Sequence, residues 1–285
     1  MTEMLDYHVV DVFTTEPYAG NPLAVVLGAD GLSDGQLQRI AREFNLSETT
    51  FPCASAHAEA SYRLRIFTPS TELPFAGHPS VGTAWVMRSL GRVGEGRVVQ
   101  DCGAGLLPLE IEDDRIRLFG GQPSLGDPVD PGPLLAAVGL DGTDLMGDPV
   151  RWAGVGLEFG YLHVQPDAVS RAAPDLTALA EVGGSAGVSV FSYTDGVAHA
   201  RVFAGGVGVT EDPATGSAAL GLGVWLAGAE LVAPDGTASY LVEQGLEIGR
   251  PSRMECQVRC EQGRAVELSV TGSVVPVAQG RIRVP

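Results

Sequence analysis

ELPFAGHPSVG (Glu72 to Gly82) and EDPATGSAALG (Glu211 to Gly221) are one pattern written twice. At an offset of 139 positions, Glu72 coincides with Glu211, Pro74 with Pro213, Gly77 with Gly216 and Gly82 with Gly221. Each copy follows a short apolar run headed by arginine, Arg65-Ile66-Phe67 in the first and Arg201-Val202-Phe203 in the second. Each leads into an uncharged apolar run, Val81 to Met87 and Ala218 to Ala227. The pattern predicts strand, turn and helix in both halves, with a glycine at the helix start. The first turn of a helix carries backbone N–H groups without partners, and a glycine lets an anion approach them. Two such starts, facing each other across a cleft, would hold a small carboxylate without lysine or metal.

Composition narrows the chemistry. The chain has 285 residues, 45% hydrophobic, with 38 Gly and 19 Pro, which is a globular, turn-rich composition for one large or two medium domains. A formal net charge of -17 argues against nucleic acid and anionic membrane as partners. No apolar run approaches the ~20 residues of a membrane span, and MTEMLDYHVVDVF does not read as a secretory signal. All 18 basic residues are arginine. The lack of lysine excludes a pyridoxal imine, Schiff-base aldolase chemistry and a P-loop. Cys53, Cys102, Cys256 and Cys260 read as reduced thiols of a cytoplasmic protein. No ligand spacing among the five histidines suggests a metal, and none is expected.

Along the chain, strands are expected at 7–13 and 22–27, and a helix at 34–44 capped by Ser33. Further strands are expected at 48–52, 62–68, 98–101, 106–111 and 115–119. The Gly/Pro/Asp-rich stretch Gly120 to Pro133 reads as a linker. Beyond it, helices are expected at 134–138 and 176–182. Strands are expected at 155–164, 188–193, 198–204, 240–244, 254–260, 265–270 and 272–277. The expected fold class is α+β, with two similar pseudo-symmetric domains, each a curved mixed or antiparallel sheet wrapped around its central helix. The first domain spans 1–119, completed by a C-terminal strand at about 276–285, and the second spans 120–275.

Four side chains near the repeated turns carry chemistry: Glu48, His78, Asp212 and Ser217. His78 and Ser217 occupy matching places, one residue after Gly77 and Gly216. Pro79 suits the first helical position. Each residue alone also has a purely structural reading. Asp212 caps a helix, Ser217 satisfies a first-turn N–H, His78 is a core histidine and Glu48 ends a strand. Together, beside mirrored helix starts, they read as a site.

The stretches DVFTTEPYAGNPLAVVL (11–27), IAREFNLSETTFP (40–52), LRIFTPSTELPFAGHPSVGTA (64–84) and ARVFAGGVGVTEDPATGSAALGL (200–222) carry a family resemblance. The chain resembles the phenazine-biosynthesis PhzF-like family, within the diaminopimelate epimerase-like fold. The resemblance implies a cofactor-independent isomerase acting on a small carboxylate, similar to the isomerase of trans-2,3-dihydro-3-hydroxyanthranilate. It implies that Glu48 shuttles a proton, with His78 and Asp212 as auxiliary catalytic groups. Gly77, Ser80, Gly216, Ser217 and Ala218 are expected at the substrate. A carboxylate of ordinary pKa, about 4.3, is a weak base, so either its burial or the delocalised charge of a diene acid must assist. Related epimerases use one thiol from each half, whereas this chain has His78 and Ser217 at the helix starts. Three alternatives stand beside this reading: an amino-acid epimerase or racemase, an isomerase of another unsaturated ring carboxylate in antibiotic biosynthesis, and a non-catalytic binder of small anions. A homodimer is expected.

Overall fold

The computed structural model describes residues 3–182, 186–204 and 209–285. Residues 205–208, inside the last family stretch, lie outside the described residues. The chain forms a mixed sheet with few helices, in two compact units: Met1–Phe119 with Thr271–Pro285, and Gly120–Val270.

The first unit runs β1 (Met4–Val12), β2 (Asn21–Val26), α1 (Asp34–Phe44), β3 (Glu48–Cys53), β4 (Tyr62–Phe67), β5 (Glu72–Leu73), α2 (Gly77–Ser89), β6 (Gly96–Cys102), β7 (Gly105–Glu112) and β8 (Arg115–Phe119). β1–β2, β3–β4 and β6–β7–β8 pair antiparallel, while β2–β3 and β4–β6 pair parallel across a helix. α2 touches β1, β2, β3, β7 and β8 and is buried around most of its circumference. That is why its sequence lacks a polar stripe. Gly82 lets the sheet approach closely, because a Cβ there would stand 2.6 Å from Leu23 Cδ2 and 2.8 Å from Val12 Cγ2. α1 instead shows one apolar face, Leu37, Ile40 and Ala41, against β3 and β4. Ser33 is its N-cap residue, and its backbone N–H and hydroxyl donate to Gln36 Oε1 at 3.1 and 3.0 Å in a capping box. Asn45 closes the helix in the left-handed region, φ 51°.

The second unit runs β9 (Ser124–Pro128), α3 (Gly132–Ala137), β10 (Arg151–Gly154), β11 (Glu158–His163), α4 (Pro166–Arg171), α5 (Leu176–Glu181), β12 (Gly187–Thr194), β13 (Val197–Ala204), β14 (Val209–Asp212), α6 (Gly216–Gly228), β15 (Gly236–Gln244), β16 (Ser252–Glu261) and the start of β17 (Arg264–Arg283). Here β11–β12 and β13–β15 are the parallel pairs that span helices. α6, apolar on every side, touches β9, β10, β11 and β16, and α3, α4 and α5 contribute to a separate core with Val188, Val190 and Phe203.

Several expectations change. The stretch taken as a linker contains β9, which pairs with β10, and backbone hydrogen bonds outweigh its glycine and proline content. The strand expected at 155–164 begins at Glu158, because Gly156, at φ 115°, turns the chain between β10 and β11. β10, α4 and β14 were not anticipated. The strands expected at 265–270 and 272–277 are one strand, β17, whose C-terminal part pairs with β1. Gly272 is not a break: a Cβ there would lie 2.2 Å from Phe13 Cδ1. Pro79 is third in α2, still within the turn where its missing N–H costs nothing.

Candidate active site

Both copies of the repeated pattern fold in the same local way. In the first, Arg65 Nε and Nη2 donate to Glu72 at 2.8 and 2.6 Å, and the guanidinium lies over the Phe67 ring. In the second, Arg201 Nε and Nη2 donate to Glu211 at 2.9 and 2.7 Å, over the Phe203 ring. Arg201 Nη1 also donates to the carbonyls of Val169, Ser170 and Ala172. The arginine and glutamate shared by the copies thus form a clamp across the strand pair before each helix. α2 and α6 both begin on the repeat glycine, Gly77 or Gly216, and neither start has a side-chain cap. In α2, Gly77 and His78 precede the first intrahelical bond, from Ser80 N–H to Ala76 C=O. In α6, Gly216, Ser217 and Ala218 precede that from Ala219 N–H to Thr215 C=O.

In the first unit, β3 places Glu48 opposite Leu23 of β2, facing α2. Glu48 Oε2 lies 3.5 Å from His78 Nε2, with the side chains 15% and 5% exposed. Burial pushes the His78 imidazole down to about 3, opposed by a hydrogen bond to the Pro22 backbone. Proline has no N–H, so the ring donates to the Pro22 carbonyl. Nε2 makes no hydrogen bond, so Nδ1 is the donor and Nε2 presents its lone pair toward Glu48. His78 is therefore neutral. Buried Asp11 braces the loop before Pro22 by accepting the Tyr18 N–H at 2.6 Å. Ser80, expected at the substrate, faces inward: its hydroxyl donates to Ala76 C=O and accepts from Gln100 Nε2, both at 2.9 Å.

In the second unit, Asp212 ends β14, and its Oδ2 accepts the Thr215 hydroxyl at 2.6 Å. Gln244, buried at the end of β15, donates to Asp212 C=O at 2.6 Å and to the Thr215 hydroxyl, and accepts the Thr215 N–H. This fixes the turn entering α6. Tyr161 and Tyr240 donate to the Ala218 and Ala219 carbonyls, each at 2.7 Å, so the first turn of α6 is held from the sheet side. Ser217 and Ala218 are buried in that turn.

Each unit by itself therefore brings together its own predicted residues, Glu48 with Gly77 and His78 in one and Asp212 with Gly216 to Ala218 in the other. Sequence reasoning missed Pro22 and Gln244 as supports, and the buried Thr50 and Thr83, whose hydroxyls lie 2.9 Å apart beneath the site of the first unit. The hint was the pair Thr49-Thr50, two hydroxyl residues leading into the core residue Phe51. The four cysteines form no disulfide. Burial raises the thiols of Cys53 and Cys102, and Cys53 Sγ donates to Phe51 C=O.

A family model described as phenazine biosynthesis-like protein matches residues 10–280. The chain belongs to this family. It is 37% identical over 284 residues to the trans-2,3-dihydro-3-hydroxyanthranilate isomerase of Pseudomonas aeruginosa, covering 96% of this chain and 98% of that one. A solved PhzF-family phenazine biosynthesis protein of Bacillus anthracis superposes with a TM-score of 0.88 at 27% identity, over 98% of this chain and 99% of its own. The fold extends further: a hydroxyproline epimerase of Agrobacterium vitis superposes with a TM-score of 0.70 at 15% identity, covering 99% and 94%. This PhzF-family chain is an isomerase, which removes the non-catalytic binder. Its substrate is a small molecule, and among the described residues no helix is long and apolar enough to cross a membrane.

Proposed function

We propose that this isomerase shifts a proton, and with it a double bond, in a small unsaturated ring carboxylate of the dihydro-hydroxyanthranilate type, without a metal or organic cofactor. The observation that carries the reading is Glu48 Oε2 at 3.5 Å from Nε2 of a neutral imidazole. Glu48 takes a proton from a ring carbon, and the C–H electron pair enters the conjugated system. Glu48, now an acid, returns the proton at another carbon, so the double bond moves and the carboxylate is regenerated. The His78 Nε2 lone pair accepts a hydrogen bond from protonated Glu48 and orients it between the two transfers. Taken unit by unit, the helix-start N–H group of Gly77 in α2, and those of Gly216, Ser217 and Ala218 in α6, are suited to a substrate carboxylate, and Asp212 to an amine. Ser80 acts only by bracing the first turn of α2.

On this reading the two units are copies of one epimerase-like domain, and the active protein is a cytoplasmic homodimer. The activity named for the Pseudomonas aeruginosa relative supports the substrate class. The fold shared with an epimerase supports proton transfer at carbon. A two-thiol epimerase is disfavoured because neither helix start bears a cysteine and Cys53 is tied to Phe51.

The test is Glu48→Gln with trans-2,3-dihydro-3-hydroxyanthranilate in deuterated, chelator-treated buffer. Glutamine keeps size and hydrogen bonding but removes the base. A sole base contributes about 10⁴-fold or more, so the variant should bind substrate yet neither turn it over nor exchange deuterium. Near wild-type turnover by the variant would make Glu48 structural and Asp212 the candidate base.

A further inference from the structure

Three elements carry the site of the first unit: β3 carries Glu48, α2 carries His78, and β2 carries the Pro22 carbonyl that holds the His78 ring. The same three elements are joined again by two buried hydroxyls. Thr50 Oγ1 donates to Ala24 C=O at 3.3 Å and lies 2.9 Å from Thr83 Oγ1. A hydroxyl has one proton, so with Thr50 donating to β2, Thr83 donates to Thr50. Thr50 and Thr83 are both 0% exposed. On each strand the support stands two residues from the group it would align, Ala24 from Pro22 and Thr50 from Glu48, which is the same face at the next step of the pleat. On α2, Thr83 follows His78 by five residues, little more than one turn.

We infer that Thr50 and Thr83 are positioning residues, a strut from α2 through β3 to β2 that sets the distance between Glu48 and His78. The inference rests on the reading of Glu48 as the proton carrier. Valine has nearly the shape of threonine, and replacing both partners of the Thr50–Thr83 bond by apolar groups is close to neutral for stability, the Ala24 carbonyl losing only its long 3.3 Å bond to Thr50. What two valines cannot supply is direction. They fill the space but leave β3 free to slide against α2. A shift of about 1 Å at a reacting group can cost on the order of 10²-fold in rate.

The experiment compares wild type, Thr50→Val/Thr83→Val and Thr50→Ser, with Glu48→Gln alongside. Three quantities are read: the denaturant midpoint, the ¹⁵N shifts of the His78 ring (assigned by loss in His78→Gln), and kcat and KM for trans-2,3-dihydro-3-hydroxyanthranilate. The double variant should keep its midpoint, show displaced His78 ring shifts, and lose about 10- to 100-fold in kcat with KM within about twofold. Thr50→Ser, which keeps the hydroxyl but loses a buried methyl, should match wild type in ring shifts, kcat and KM while its midpoint falls modestly. If the double variant does not fold, Thr50→Val alone serves, since Thr83 can turn to a carbonyl of its own helix. Wild-type ring shifts in the valine variants, or a serine variant as impaired as valine, would overturn the strut. Displaced ring shifts together with an active Glu48→Gln would instead strike the proposed function and leave the positioning role standing. The ring shifts report on the strut even without turnover.

Discussion

Gly221→Ala separates packing from helix propensity, because the two predict opposite signs. In an exposed helix interior, glycine to alanine stabilises by about 1 kcal/mol. In α6, a Cβ on Gly221 would stand 2.4 Å from the Tyr161 hydroxyl, 3.2 Å from Ala153 O and 3.2 Å from Gly154 Cα. Tyr161 is fully buried, and its hydroxyl donates to Ala218 C=O at 2.7 Å. Real Cβ contacts essentially never fall under 3.0 Å, so the ring must retreat and the hydrogen bond breaks. A buried hydroxyl left without a partner costs about 1–3 kcal/mol, and overpacking costs a similar amount. Subtracting the propensity gain leaves a net destabilisation of roughly 1–5 kcal/mol. Equilibrium denaturation measures it. In a Tyr161→Phe background the clash is relieved, so the two substitutions together should cost less than their sum by about 1–2 kcal/mol. A Gly221→Ala protein as stable as wild type or more so would refute the packing argument, as would strict additivity with Tyr161→Phe.

The two arginine–glutamate clamps should respond unequally. Glu211→Ala leaves Arg201 with backbone carbonyls but without its paired carboxylate, in a site where both partners are 9% exposed, and should cost about 3–5 kcal/mol, while Glu72→Ala leaves the more exposed Arg65 with Asp34 and should cost about 1 or less. Equal losses in denaturation would show that burial does not set the difference. His78 should give stability a pH dependence. The unfolded imidazole gains a proton near 6.5, whereas the folded one stays neutral down to about 3, so stability falls as pH drops through that window. The slope is roughly 1.4 kcal/mol per pH unit. Against wild type, His78→Gln should flatten denaturant midpoints measured between pH 6.5 and 4. An unchanged slope would mean that His78 is protonated in the folded protein.

The sequence by itself determined what is local. The repeated Glu-x-Pro and Gly positions, the capped amphipathic α1 and the two helices without a polar stripe follow from residues a few positions apart, through periodicity and turn chemistry. So does the choice of Glu48 and His78, one at a strand start and one at a helix start. Tertiary structure decided what depends on residues far apart in the chain. β9 exists because β10 pairs with it, against its own glycine and proline. Arg201 and Glu211 were visible as a matched pair of letters, but only the strand pairing made them a clamp. The neutral state of His78, with its proton on Nδ1, follows from burial and from one carbonyl on β2. The Thr50–Thr83 strut follows from the register of a helix on a sheet. Local sequence encodes which elements form. Distance, burial and protonation are properties of pairs, and pairs are made only when the chain closes on itself.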